Sequence, residues 1–424
     1  MTTDILKYLI HYGRIPRKNL YVPFSEYSQR YHQQTVATLL KDGYLRLERS
    51  KGLNYVAITE EGVAFLERHM KEHGEDKATV KAVLREAQLS RTPKQKKRRR
   101  LVADVEGLCI ANGFLVNPSE KPDLARLLVS DDQILKEQFQ KIVDRGVYYS
   151  SREIRSACGN IKEVNSNEFY NRARLVGVLF YKGHLSFLYS TVKKLILWVP
   201  SCEERVTAFI LNCFQKSPTI SSVIRFGAKP TCIVVGQGYS MIPKICTGRA
   251  WGRIDARKNV ETFRANLAKG HINSNNLSRV FCTAYYIPNS AAGVNQFRLA
   301  GMMAEDIREM IANKWFEKEA GVMRLTNLPY QQGVCLENSE RLVFMPCIDL
   351  IALPLLKSAG VPVHIVAPSG TQEGVARVLG PLLLSAKSLD GKPLRYGEYD
   401  SNGGSMRTRH TSASSQTTSE KSTQ

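Results

Sequence analysis

The 424-residue chain has no apolar run that approaches the roughly 20 residues needed to span a bilayer. Its first residues also lack a signal-peptide pattern, because Asp4, Lys7 and His11 interrupt them. The nine cysteines include no CxxC pair, and the Cys and His spacings supply no zinc ligand set. An odd number of cysteines, scattered through apolar segments, argues against a disulfide framework. These absences predict a cytoplasmic protein with reduced thiols, no membrane partner and no metal.

Catalytic signatures are missing as well. The sequence contains no GxxxxGK[ST] phosphate loop, and its eight histidines form no HxH cluster of a rolling-circle relaxase. The two glycines of residues 235–240 follow a predicted strand and are loosely like a dinucleotide loop, but the pattern is incomplete and a tight turn explains it. Asp349 is the only carboxylate in a plausible α/β site position, and a helix cap is its competing interpretation. The sequence therefore assigns no catalytic residue and no cofactor.

Acidic residues are scarce relative to basic ones. The chain has 60 Lys and Arg against 39 Asp and Glu, which gives a net charge of +21. The first 100 residues hold 21 of the basic and 11 of the acidic residues, so nearly half of the excess lies in the first quarter. This balance favours a polyanionic partner, with nucleic acid as the leading candidate and an anionic membrane surface as the lesser one.

Residues 2–68 follow the order of a winged helix-turn-helix. Apolar residues recur at helical spacing in the first, third and last segments, and Ser25 or Ser28 is a suitable N-cap for the third. Two extended runs joined by a link that contains Gly52 predict a hairpin, the wing. The predicted segments are a helix at 2–13, a second short one at 16–24, a third helix to about residue 42, strands at 44–49 and 54–59, and a closing helix at 63–70.

A helical wheel divides the third helix into two sides. The core side carries His32, Val36, Leu39 and Leu40. The other side has no acid and offers donors suited to base edges and phosphates: Arg30, Tyr31, Gln34, Thr38 and Lys41. The wing adds residues of the kind that contact backbone phosphate or a minor groove: Arg46, Arg49, Lys51 and Asn54. Two alternatives stay open, since such a module can mediate protein contacts only, and Tyr31 can be an edge residue of the core.

A further basic run opens another predicted helix. Thr92 is a suitable N-cap, Pro93 occupies the first helical position and Gln95 completes a capping-box pattern. Six of the seven positions 94–100 are cationic, although positive charge opposes the helix dipole there. We expect a phosphate clamp, with a solvated linker face as the alternative; its residues are Lys96, Lys97, Arg98, Arg99 and Arg100.

From residue 148 onward strands and helices alternate, which predicts a mixed α/β fold with a partly parallel sheet. Tyr148 and Tyr149, beside arginines, invite comparison with a strand-transferring nucleophile, but packing tyrosines at the end of a strand are the simpler interpretation. The predicted domains are a DNA-binding winged helix at 1–72, a basic helical linker region at 73–147, an α/β domain with a mixed sheet at 148–385, and a disordered Ser/Thr-rich tail at 386–424.

Several segments resemble the replication-relaxation group of proteins, which occur on plasmids and integrative conjugative elements of Gram-positive bacteria. They are the wing, the segment Tyr148-Tyr149-Ser150-Ser151-Arg152-Glu153-Ile154, the tract 173–189 with its Leu-Val-Gly-Val-Leu-Phe strand, and Tyr285-Tyr286-Ile287-Pro288. The resemblance implies an N-terminal winged helix joined to an α/β domain, and a role near plasmid replication or DNA transfer. It carries over no functional residue beyond the winged-helix positions.

We therefore expect a sequence-preferring double-stranded DNA-binding protein, an accessory or regulator of a mobile element in replication, conjugative transfer or transcription. Its α/β part would form a homodimer or dock partners such as a relaxase or replication proteins. Two other classes stay open: a nuclease or nicking enzyme with an unrecognised site in the α/β domain, and a protein-interaction scaffold.

Overall fold

A computed structural model describes most of the chain. It covers residues 1–50, 53–89, 91–159, 174–191, 198, 200–247, 272–302, 332–335, 341–345, 347–367, 371–388, 398–399 and 406–407. These residues form a mixed α/β fold with a six-stranded mixed sheet at its centre, as the alternation of segments predicts. None of the helices in these ranges is long and apolar enough to cross a membrane.

The first 72 residues, here called the N-terminal unit, combine three helices with a small antiparallel sheet in the order β1-β3-β2. Their side chains share one core, which includes Ile5, Leu9, Leu39, Val56 and Leu66. The elements are α1 (Thr2–Tyr12), β1 (Ile15–Pro16), a 3-10 turn (Val22–Phe24), α2 (Gln29–Lys41), β2 (Leu45–Ser50), β3 (Leu53–Ile58) and α3 (Glu60–Glu72).

Side-chain caps start two helices of this unit: Ser28 caps α2 as predicted, whereas α3 begins at Glu60, three residues before the predicted start at 63. The Ser28 hydroxyl accepts a hydrogen bond from the Tyr31 amide, and that of Thr59 accepts one from Gly62. The short second helix predicted at 16–24 is wrong. This segment contains a two-residue strand and a 3-10 turn, because Pro16 and Pro23 supply no amide donors and disfavour helical conformation in the residues before them.

The remaining described elements build two larger sheets, the helices that pack on them and a separate two-stranded pair. In the middle of the chain they are α4 (Lys77–Gln88), α5 (Pro93–Ala111), α6 (Leu124–Val129), α7 (Gln133–Arg145), β4 (Val147–Ser150), α8 (Ser151–Cys158), β5 (Gly177–Tyr181), β6 (His184–Thr191), α9 (Pro200–Lys216), α10 (Pro218–Val223) and β7 (Thr231–Gly236). They continue with α11 (Ile242–Thr247), α12 (Ser274–Val280), β8 (Thr283–Pro288), α13 (Ala291–Met302), β9 (Gln332–Cys335), β10 (Arg341–Phe344), β11 (Ile348–Asp349), α14 (Ala352–Ala359), β12 (Val363–Ala367), α15 (Thr371–Leu379), β13 (Leu383–Ser388) and the pair β14 (Glu398–Tyr399) and β15 (Met406–Arg407).

The central sheet has the order β11-β8-β7-β6-β5-β4. Strands β6, β7 and β8 are parallel, whereas β4, β5 and β6 are joined antiparallel and β11 runs antiparallel to β8. A second sheet has the order β13-β12-β10-β9, with β10, β12 and β13 parallel. The central strands are apolar on both faces because helices cover both.

Alternate side chains of the central sheet belong to two different cores. One face presents Tyr149, Phe180 and Phe187 to a cluster that includes residues of α7 and α9. The other face presents Tyr148 and Leu179 to a cluster that includes residues of α5 and α13. This two-residue alternation follows from strand geometry.

Other predictions differ in their limits or lie outside the described ranges. In the alternating part of the chain the sequence also predicts a helix from residue 348, but this helix begins at Ala352, because Ile348 and Asp349 first pair with β8. The sequence further predicts a strand at 195–199 and a helix at 293–316; most of the first and the second half of the other lie outside the described residues. So does most of the predicted tail, of which residues 386–388 belong to β13 and only two short pieces follow.

Helix α5 joins the N-terminal unit to the central sheet. Its capping box is present as predicted, with reciprocal bonds between Thr92 and Gln95. Val105 and Leu108 lie in the core of the sheet, whereas Ala103 lies in the core of the N-terminal unit. The Tyr8 hydroxyl of α1 also donates to the Ala103 carbonyl at 3.0 Å. The segment predicted as a linker thus contributes a helix to both cores.

Asp104 of α5 is the polar centre of this junction. Its Oδ1 accepts hydrogen bonds from the side-chain amides of Asn289 at 2.5 Å and Asn19 at 3.3 Å, and its Oδ2 accepts one from the Ser190 hydroxyl at 3.3 Å. Asn19 belongs to the N-terminal unit, Ser190 to β6, and Asn289 directly follows β8. Only 5% of Asp104 is exposed, and burial raises its pKa to about 7.

We expect Asp104→Asn to be more stable than the wild type at pH 8. The folded chain holds a proton on Asp104 up to a pKa of about 7, whereas the unfolded chain loses it near pH 4, so the free energy of unfolding falls as pH rises between these values. The Asn oxygen still accepts from Asn19 and Asn289, and its amide donates to Ser190. Denaturation curves should show a gain on the order of 2–4 kcal/mol at pH 8.

The same curves at pH 5 should show a smaller difference between variant and wild type. A residual slope remains in both proteins, because burial also raises the pKa values of Glu106 and Glu203 to about 7. A loss of stability at pH 8 in Asp104→Asn would show that the ionised carboxylate stabilises the junction.

Candidate nucleic-acid interface

Helix α2 presents an acid-free face to solvent. His32, Val36 and Leu39 hold its inner side in the core, and Leu40, predicted to be buried with them, is half-buried. All the outward residues predicted to contact DNA are exposed: Arg30, Tyr31, Gln34, Thr38 and Lys41. Among the described contacts, neither cation of this set forms an ion pair.

Tyr31 is not an edge residue of the core. It is 52% exposed, and its ring lies 6.0 Å from that of Tyr27 on one flank of α2. The other flank of the helix carries Gln29 and Gln33. The outward face thus lies between an aromatic flank and an amide flank.

The hairpin carries its predicted contact residues on two different faces. Arg49 pairs directly with Asn54 across the two strands, so both side chains share a face. Arg46 lies three residues before Arg49 and therefore on the opposite face, where its Nε is 3.0 Å from Glu48 Oε1. Arg14 also pairs with Glu48, at 2.9 Å. Lys51 lies outside the described residues.

A groove of about 690 Å³ separates α2 from the hairpin; we call it the α2–β3 groove. Its cations, Arg17 and Lys18, lie in the turn after β1, which the Arg17 amide fixes by donating to the Asn54 carbonyl at 2.9 Å. None of the described residues that line it is acidic: Pro16, Arg17, Lys18, Tyr21, Gln29, His32, Gln33, Val36, Leu53 and Asn54.

Arg17 and Lys18 are not among the residues that the sequence predicts to contact DNA. Both lie in the short helix predicted at 16–24, and helical periodicity does not show how that segment lies relative to the third helix. The available signal was their position directly after Pro16, which favours an extended segment followed by a turn over a helix.

His32 lines the groove from below. It is 4% exposed, and its Nε2 is buried without a hydrogen-bond partner. The rings of Tyr21 and Phe24 lie 5.3 and 6.0 Å from it. Burial lowers the pKa of His32, so the ring is neutral near pH 7.

The three arginines of the basic run at the start of α5 make contacts within the chain. Arg98 donates to the carbonyls of Arg174, at 3.2 Å, and Leu175, and to the Ser151 hydroxyl at 3.0 Å. Arg99 pairs with Glu86, and Arg100 donates to the Tyr55 hydroxyl at 2.7 Å, with its guanidinium over the Tyr55 ring.

These contacts change the expected clamp. The contacts that Arg98, Arg99 and Arg100 make within the chain compete with the predicted contacts to DNA phosphate, although Arg99 Nη1 is buried without a hydrogen-bond partner. Lys96 is exposed, and the side chain of Lys97 lies outside the described residues.

The candidate catalytic residues have structural roles. The hydroxyls of the buried Tyr148 and Tyr149 donate to backbone carbonyls at 3.2 and 2.9 Å. Asp349 accepts from two backbone amides at the start of α14, at 2.9 and 3.2 Å. A side chain at Gly236 would collide with Tyr286, which accounts for the glycine in that turn. No group of three or more His, Cys, Asp or Glu among the described residues could hold a metal ion.

We expect Arg98→Gln to lower the free energy of unfolding by about 2–4 kcal/mol, because the shorter side chain leaves two part-buried carbonyls without this donor. It should leave the salt dependence of DNA binding unchanged. Lys96→Gln, on the exposed side of the same helix, is the matched control and should change stability by less than about 0.5 kcal/mol. Urea denaturation and anisotropy titrations measure both quantities. Full stability of Arg98→Gln together with a flatter salt slope would return Arg98 to the phosphate contacts.

Comparison of the chain with protein-family models, curated proteins and solved structures found no match. The resemblance to the replication-relaxation group therefore stays a prediction from the sequence.

Proposed function

We propose that the chain is a sequence-preferring double-stranded DNA-binding protein and that its N-terminal unit is a winged helix. The order of helices around a β2–β3 hairpin and the sheet order β1-β3-β2 support this proposal. In this arrangement α2 is the recognition helix and the hairpin is the wing. Among its described residues, the unit departs from the expected order of elements where a short strand and a turn replace the second helix.

The observation that carries the proposal is the exposed, acid-free face of α2 beside a basic groove. An α-helix fits the major groove of B-DNA, where Arg donates to guanine and Gln pairs with adenine. Arg30 and Gln34 lie one helical turn apart on this face, as a reading pair requires. Arg49 and Asn54 flank it on the hairpin and are suited to the backbone.

The wider role rests on the resemblance described above. We assign the protein to the cytoplasm as an accessory or regulator of a mobile element, acting in replication, transfer or transcription. The α/β part would then dock a relaxase or replication protein, or pair with a second copy. For the nuclease alternative, the three residues considered as catalytic candidates all form hydrogen bonds with the backbone: Tyr148, Tyr149 and Asp349.

We expect the double variant Arg30→Ala/Gln34→Ala to lose sequence preference while keeping its fold. Each lost base contact should cost about 1–3 kcal/mol of discrimination between the preferred and a random duplex. A duplex selected by the wild type from a random pool supplies the preferred site for a competition gel shift. Gln138→Ala/Lys141→Ala on the exposed side of α7 is the matched control. Unchanged selectivity in the Arg30/Gln34 variant would remove α2 as the reading helix.

The two faces of the hairpin give a second prediction. Arg49→Ala should weaken binding to all duplexes alike and reduce the salt slope by about 0.9, the value of one phosphate contact. Arg46→Ala should have a smaller effect, because Arg46 is paired with Glu48 on the opposite face. Anisotropy titrations over a range of salt concentrations compare the two. A larger loss in Arg46→Ala would mean that the hairpin approaches DNA by its other face.

A further inference from the structure

The α2–β3 groove has the chemistry of a phosphate site. Its two cations, Arg17 and Lys18, are exposed and form no ion pair with any described residue. Three side-chain amides that can donate hydrogen bonds complete its polar lining: Gln29, Gln33 and Asn54. Its volume of about 690 Å³ is sufficient for a phosphodiester and the groups attached to it.

His32 is an independent indication of a ligand. A nitrogen that is buried without a hydrogen bond costs free energy, so its retention calls for a partner that is not part of the chain. His32 Nε2 is such a nitrogen, because it is buried and has no hydrogen-bond partner. In the neutral ring one nitrogen donates and the other accepts. On protonation Nε2 becomes a donor, which suits a phosphate oxygen in the groove.

We propose that the α2–β3 groove binds a phosphate group, held by Arg17 and Lys18 at its mouth and by His32 at its floor. Within the proposed function, on which this assignment rests, the group is a phosphate of the DNA backbone. The same chemistry would accept the phosphate of a free mononucleotide. The groove adjoins the reading face of α2, since Gln29 and Gln33 line it while their neighbours Arg30 and Gln34 point outward.

The test compares Arg17→Gln/Lys18→Gln with Arg126→Gln/Lys136→Gln in the full chain. Both variants remove two positive charges, but the second pair lies on α6 and α7, outside the groove. The first should flatten the slope of log K against log salt by about two and weaken binding on the order of 10- to 100-fold at 0.1 M salt, on preferred and random duplexes alike. The control should leave the slope unchanged.

A second arm uses inorganic phosphate and AMP as probes, in equilibrium dialysis at constant ionic strength. Binding by the wild type that is lost in Arg17→Gln/Lys18→Gln, without any DNA binding, would support a free phosphate ligand and refute the proposed function alone. DNA binding with an unchanged slope in that variant would overturn the groove proposal and leave the proposed function intact. Absence of binding to duplex, phosphate and AMP would overturn both.

The role of His32 has its own readout. Affinity for the random duplex should rise as pH falls from 8 to 5.5, and this gain should be reduced in His32→Gln but kept in His73→Gln, an exposed control. The other charged or titratable groups of the groove are Arg17, Lys18 and Tyr21, none of which changes its charge in this range. A melting curve checks that His32→Gln folds. An equal gain in both variants would remove His32 from the site.

Discussion

Burial of Asp104 is the constraint on which the junction of this protein depends. A carboxylate that loses its water must find donors, and Asp104 finds them on three separate parts of the chain: Asn19, Ser190 and Asn289. Its neighbour Glu106 is buried on the same helix, where it contacts the Tyr12 hydroxyl of α1. These bonds form only when the N-terminal unit and the central sheet are both in place. Burial of the two acids therefore fixes the orientation of the N-terminal unit on the sheet as well as the distance between them.

The same reasoning explains why so basic a helix start can exist on α5. Four arginines close to one another would repel if all of them faced solvent. Arg91 and Arg99 instead share Glu86, Arg98 lies against carbonyl oxygens, and Arg100 lies over the Tyr55 ring. A guanidinium with planar donors is suited to such shared contacts, whereas a lysine ammonium is not. Arg98, Arg99 and Arg100 of the run therefore connect α5 to α4, to the hairpin and to the residues that precede β5.

Local signals in the sequence were sufficient for most elements. Caps at Ser28 and Thr92 act within one helical turn, and their side-chain bonds are present where the residue types predict them. Strands β7 and β12 follow from apolar runs of the right length. Long-range contacts could not be derived in this way. The carbonyls that accept from Arg98 lie about 76 residues away in sequence, and nothing at residues 94–100 indicates them.

The site was predictable to the same extent. Helical periodicity identified the outward face of α2, because exposure on a helix depends on spacing alone. Strand register was needed to separate Arg46 from Arg49, and a hydrogen bond between the chain segments at Arg17 and Asn54 was needed to form the groove. Neither can be derived from residue types. Prolines at 16 and 23, interpreted as helix breakers, would have moved Arg17 and Lys18 from a helix to a turn.

The groove and the junction are connected through that turn. Asn19, which Asp104 holds, directly follows Lys18, and the Asn19 amide also donates to the Pro16 carbonyl at 2.8 Å. The backbone that carries Arg17 and Lys18 is thus fixed at one end by a hydrogen bond to the hairpin. At the other end it is fixed by the Asp104 carboxylate, which is also hydrogen-bonded to the central sheet. A fixed backbone loses less conformational entropy when its side chains bind an anion than a free loop would. The α/β part therefore contributes to the N-terminal surface by holding the turn in place, although none of its described residues lines the groove.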